Sequence, residues 1–165
     1  MPDLLSNAAS AHPLAAPLEG FWQLVHGPLA QWANVQPEHV ALENETQSLT
    51  FAELHAQVIE RSAAIVREQA PAMLLLNGER GTLASIVEFL AVIHSGRCAA
   101  VADPDWPAGV HERMAEWMPS APSALQAATD KSPFYTGFTS GSTGLPKGFM
   151  RHHRSWTESF RVGLE

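Results

Sequence analysis

Between two apolar stretches lies Thr139-Ser140-Gly141-Ser142-Thr143-Gly144-Leu145-Pro146-Lys147-Gly148, ten residues with three glycines, four hydroxyls and one lysine. Backbone N–H groups that converge on one concavity bind phosphate oxygens, best where no side chain blocks the approach. Gly141, Gly144 and Gly148 leave that approach open. Thr139, Ser140, Ser142 and Thr143 add hydroxyls that can also face a magnesium ion, and Lys147 brings a point charge to a terminal phosphate. Pro146 stiffens the base of the loop. Surface linkers use the same residue types, yet a linker has no need of a lysine, a proline and three glycines in this order. The chemistry expected of the stretch is the holding of a polyphosphate.

Two familiar phosphate loops do not fit. A Walker loop puts lysine directly after glycine and a hydroxyl directly after lysine, whereas Lys147 follows Pro146 and precedes Gly148. A dinucleotide fingerprint can nominally be laid over residues 137–144, but the glycine spacing is wrong and no helix follows directly. The other candidates carry less. His152 and His153 are neighbours on an expected strand, point to opposite faces and so do not chelate a metal together. His153 by itself could line the edge of an acyl or nucleotide pocket, or serve as a structural histidine. Asp103 and Asp105 sit in a proline-rich turn, where carboxylates usually cap. Cys98, the single cysteine, reads as a small buried hydrophobe. Trp22 and Trp32 stand at helix-like positions and read as packing.

The bulk properties bound the answer. A chain of 165 residues with 45% hydrophobic and 16% charged residues suits one globular domain. Its densest apolar run, residues 83–94, is broken by Glu88 and too short to cross a bilayer. The first 18 residues lack the basic start of a secretory signal and read as a mobile tail, so the cytoplasm is the expected location. The net charge of −7 is uneven: residues 1–130 hold 15 acids against 5 arginines, while residues 131–165 hold 5 bases against 2 acids. That cationic end carries the glycine-rich loop. Its excess is too small for a nucleic-acid surface and adequate for one polyphosphate.

The elements that must position the loop follow from periodicity and turn chemistry. Gly27-Pro28 opens a short helix ended by Pro37, and residues 39–51 alternate as a hairpin around Asn44-Glu45. Thr50-Phe51-Ala52-Glu53 is a capping box for a helix running to about residue 69. A strand over residues 72–77, a helix over 82–95 closed by Gly96, a strand over 98–103 and a helix opened by Pro107 come next. Residues 123–128 form a weaker strand candidate. Residues 134–138 and 148–152 read as strands flanking the loop, and Ser155-Trp156-Thr157-Glu158 as a second capping box, with a helix from about residue 156. Alternation of this kind argues for an α/β fold with a mostly parallel sheet.

The order of residues 139–148 resembles the phosphate-binding signature of the AMP-forming adenylating enzymes, the superfamily of acyl-CoA synthetases, nonribosomal adenylation domains and luciferases. The similarity continues through "FMRHHRSW", with His153 at the family's usual histidine position, and upstream through "SLTFAELHAQV" and "FLAVIHSGRCAAVADPDWP", covering roughly residues 20–160. The resemblance implies a carboxylate attacking the α-phosphate of ATP, release of pyrophosphate, and capture of the acyl group by a thiol such as that of CoA. It implies Thr139, Ser140, Gly141, Ser142, Thr143, Gly144 and Lys147 as triphosphate ligands, with Thr143 on the Mg²⁺ side and no protein nucleophile. A fatty or related carboxylic acid is the expected substrate, and an amino-acid-activating adenylation domain is the alternative.

Family members are much longer, so residues 19–165 read as an incomplete N-terminal part of the large domain, inactive alone. Apolar surface left bare would then lead to dimers. A stand-alone module that binds polyphosphate or dimerises without catalysis is the competing reading.

Overall fold

The computed structural model describes residues 23–77, 82–124, 127–139 and 145–162. The expectations placed on the tail, on Trp22 and on residues 140–144 lie outside these. Helix α1 (Gly27–Val35) leads into a hairpin of β1 (Val40–Glu43) and β2 (Ser48–Thr50). Asn44 Oδ1 accepts the Thr46 and Gln47 N–H groups at 3.0 and 2.9 Å, which makes the turn. Helix α2 (Phe51–Arg67) starts at the expected capping box. Thr50 Oγ1 accepts the Glu53 N–H at 3.2 Å, and Glu53 Oε2 accepts the Thr50 N–H at 2.8 Å.

A four-stranded sheet follows, in the order β3 (Met73–Leu76), β4 (Cys98–Val101), β5 (Pro133–Thr139), β6 (Lys147–His152). The first three strands are parallel and β6 runs antiparallel to β5, giving a mixed and mostly parallel α/β sheet. Helices α3 (Leu83–His94) and α4 (Ala108–Trp117) fill the crossovers, and α5 (His153–Val162) follows β6 directly. Inner strand β4 buries Cys98, Ala99 and Ala100, as expected of a parallel strand covered on both faces, and leaves Val101 at its end exposed. Its small side chains leave room for Ile65 of α2, Ala91, Val92 and Ile93 of α3 and Phe134 of β5, which close with Ala99 into the main core. A second cluster of Leu54, Val58 and Val87 seats α1 and the first hairpin on α2 and α3. Arg61 on α2 reaches Glu88 on α3 through two hydrogen bonds of 2.7 and 2.9 Å.

Two expectations need correction. The weak strand over residues 123–128 is not formed at the described positions 123, 124, 127 and 128; just ahead of it, Pro122 makes an isolated bridge to Pro71, upstream of β3. The Ser123 N–H reaches the Ala70 carbonyl at 3.4 Å, and Pro122 beside it has no N–H with which to extend that pairing. The second capping box is also absent, because α5 begins at His153. Asp130 and Ser132 carbonyls accept the Arg154 and His153 N–H groups at 2.7 and 3.2 Å. With those N–H groups satisfied by backbone, the helix starts without a side-chain cap. Ser155 instead donates to the His152 carbonyl at 2.7 Å, and Glu158 pairs with Arg154 and Arg161.

Candidate functional site

The glycine-rich stretch is the connection of the β5–β6 hairpin. Its base is set by the register Phe138 opposite Gly148 and Thr139 opposite Lys147. The Thr139 hydroxyl donates to the Lys147 carbonyl at 3.4 Å, so the first and last polar residues of the loop meet across its mouth. Directly opposed residues of an antiparallel pair share a face. Thr139, Lys147, Phe149 and Arg151 therefore lie on one side of the hairpin, with the Arg151 guanidinium 5.7 Å from the centre of the Phe149 ring.

Lys147 is exposed and pairs with no carboxylate among the described residues. Of the seven expected ligands the structure brings together Thr139 and Lys147. The other five, Thr143 with its expected metal role included, lie outside the described residues.

A glycine not singled out in the sequence proves sterically demanding. A Cβ on Gly137 would stand 2.6 Å from both Phe149 Cζ and the Tyr135 hydroxyl, so the aromatic side chains of the hairpin occupy the space above this backbone. The signal was present as a lone glycine inside an apolar strand, which marks close approach. Gly148 is different, since a Cβ there would meet its neighbours at 3.5 Å, an ordinary contact.

The remaining candidates resolve by placement. His153 is 1% exposed, stacks on Phe134 with centroids 4.8 Å apart, and accepts the Val25 N–H on Nδ1 at 3.1 Å. It faces the interior and packs as a structural histidine; burial pushes its pKa down to about 4. His152, the last residue of β6, is exposed. Asp103 Oδ1 accepts the Asp105 N–H at 3.1 Å, the turn-capping role expected of these carboxylates. Cys98 is buried with its sulfur 3.4 Å from Thr136 Oγ1, and burial raises its thiol pKa. Trp32 stacks on Phe51 at 5.9 Å, a packing role.

Comparison with known proteins shows the family and the fold. Residues 59–163 match the family model described as AMP-binding enzyme. The chain is 30% identical over 166 residues to YhfT, an uncharacterised acyl–CoA ligase of Bacillus subtilis (strain 168), covering 78% of this chain and 34% of that protein. It is 26% identical over 202 residues to the malformin synthetase mlfA of Aspergillus sclerotiicarbonarius, covering 98% of this chain and 4% of that one. The fold resembles the N-terminal subdomain of Klebsiella oxytoca NpsA, solved with 3-hydroxyanthranilyl-AMSN, with a TM-score of 0.65 and 18% identity over 80% of this chain and 41% of that one. The chain thus spans about a third of the length of the acyl–CoA ligase it matches.

Proposed function

This chain belongs to the family of AMP-forming adenylating enzymes, and from that premise we propose that it supplies the triphosphate-holding part of an ATP-dependent acid–thiol ligase. The observation that carries the reading is the closure of the loop mouth by Thr139 and Lys147. A carboxylate oxygen of the acid forms a bond to the α-phosphorus of ATP as the bond to pyrophosphate breaks, so negative charge grows on the departing group. Lys147, Thr139 and the hydroxyls and N–H groups of residues 140–144 hold that group and stabilise its charge, the main contribution a protein makes to such transfers. Mg²⁺, which Thr143 would face, adds charge neutralisation on the same phosphates.

The similarity to an acyl–CoA ligase supports a carboxylic acid as substrate and CoA as thiol acceptor; a fatty or related acid and a cytoplasmic location complete the proposal. A second reading, an amino-acid-activating adenylation domain, is favoured by the match to malformin synthetase along nearly all of the chain. Residues 19–165 form an incomplete N-terminal part of the adenylating domain and turn over no substrate alone. The bare edge of β6 and the apolar residues around it support pairing between isolated copies.

Titration calorimetry of the purified chain with pyrophosphate and with MgATP tests the reading. Saturable binding is expected, weakened by roughly tenfold or more in Lys147→Ala, the effect of losing a charge-assisted contact. Equal affinities in the two proteins would refute the assignment of Lys147. Carboxylate-dependent release of pyrophosphate by the chain above its Lys147→Ala variant would refute the claim of no turnover.

A further inference from the structure

Three histidines from distant parts of the chain meet at one point. His26 immediately precedes α1, His94 ends α3 and His153 opens α5. The His26 ring lies edge-on to the other two, with centroids 5.3 Å from His94 and 5.6 Å from His153. His153 Nδ1 accepts the Val25 N–H at 3.1 Å, and His94 Nδ1 lies 3.0 Å from Ser62 Oγ of α2. The buried Nδ1 of His26 has no hydrogen-bond partner among the described residues. A cleft of about 290 Å³, lined by Leu24, His26, His55 and His94 among others, opens beside the rings.

Positive charge is disfavoured here by geometry. His26 is the N-cap residue of α1 and His153 the first residue of α5, so a proton on either adds charge at the positive end of a helix dipole. A proton on His153 Nδ1 also turns the acceptor of the Val25 N–H into a donor. The groups acting on these rings are other imidazoles: His94 and His153 on His26, and His55 of α2 on His94. Of the carboxylates on the packed helices, Glu68 and Glu88 pair with Arg61, Glu158 pairs with Arg154 and Arg161, Glu53 accepts the Thr50 N–H, and Glu60 is exposed on α2.

We propose that His26, His94 and His153 form an acid-released latch, which holds residues 23–35 against the head of α5 and the tail of α3 while neutral and lets them go once charged. Helix α1 suits a releasable element because none of its residues is buried. Just beyond its far end the fold is tied down independently, by the Ala52 N–H on the Pro37 carbonyl at 3.0 Å and the Phe51 N–H on the His39 carbonyl at 2.9 Å. Opening therefore leaves α2 and the sheet in place. Burial first, and then the neighbouring imidazoles, lower the pKa of His26 from 6.5 to about 4, and burial lowers that of His153 to about 4. A depressed histidine pKa contributes stability that is complete above 6.5, weakens below it, and is lost as pH falls through 4.

Hydrogen exchange read by mass spectrometry on the 165-residue chain, corrected for intrinsic exchange, tests the latch. Between pH 7.5 and pH 5, protection of residues 24–35 should fall by more than roughly tenfold, while residues 87–93 of α3 stay protected. The double variant His26→Phe/His153→Asn keeps an aromatic edge and an acceptor for Val25 without either titrating group, and its protection should stay flat. An equal pH response in that variant, or a flat response in the wild type, overturns the proposal. Should the variant fail to fold, histidine ring NMR on the wild type decides. Titration of His26 and His153 below pH 5 together with loss of Val25 amide protection supports the latch, and titration of all three rings near 6.5 refutes it.

Discussion

Arg97 shows how one side chain can be decided by carbonyls alone. It is 4% exposed and its guanidinium donates to the Ala70 carbonyl from Nε at 3.0 Å and to the Ser95 carbonyl from Nη1 at 3.1 Å. No carboxylate pairs with it among the described residues, and burial pulls its pKa down. Its charge sits just past the C-terminal end of α3, where the helix dipole favours a cation. Arg97→Ala removes both donors and leaves a cavity, so we expect a loss of about 3 kcal/mol in urea unfolding. A loss below about 1 kcal/mol would mean that water replaces the guanidinium without cost. In the sequence Arg97 was one more residue between Gly96 and Cys98, since its acceptors belong to the backbone and leave no mark in residue type.

At the scale of elements, α2 and α3 end in the same way with different residues. After α3, Gly96 takes φ 78°, its N–H bonds the Ile93 carbonyl at 3.2 Å, and the Arg97 N–H bonds the Val92 carbonyl at 3.2 Å. After α2, Gln69 takes φ 52°, with the matching bonds from Gln69 to Val66 at 3.0 Å and from Ala70 to Ile65 at 3.2 Å. Both are Schellman closures, which need a left-handed residue. Gly96 adopts that conformation without strain, whereas the Cβ of Gln69 makes it costly. Gln69→Gly should therefore stabilise the chain by about 0.5–1 kcal/mol, seen as a rise of about 1–4 °C in the thermal midpoint. A fall in the midpoint would show that unfolded-chain entropy outweighs relief of the strain. The end at Gly96 was legible in the sequence, and the one at Gln69 was read only to within a residue or two.

Across the whole molecule the apolar surface is unevenly covered. Every residue of edge strand β6 is exposed, and Phe149, Met150, Trp156, Phe160 and Val162 stand 37–73% exposed on β6 and α5. An unpaired edge flanked by such side chains is a template for association. Sedimentation velocity of the chain at about 50 µM should show dimers or larger species. Met150→Lys, which adds charge to the middle of the strand, should return it to monomer. A monomeric wild type under those conditions would rule out association through this face.

The sequence by itself determined whatever depends on neighbours a few residues away. Thr50 and Glu53 announced the start of α2, Asn44 the first hairpin turn, the apolar run at Cys98 a buried strand, and the Pro-Lys-Gly ending of the loop the family. The exceptions are instructive, because α5 ignored its apparent cap once carbonyls from Asp130 and Ser132 had satisfied its first N–H groups. Only the tertiary structure decided that β6 returns antiparallel to β5 so that Thr139 faces Lys147, and that Val25 meets His153 across a separation of 128 residues. Local conformation follows from sterics and hydrogen bonds along the chain. Which side chains meet follows from how faces of separate elements bury one another, and for that no short window of residues carries the information.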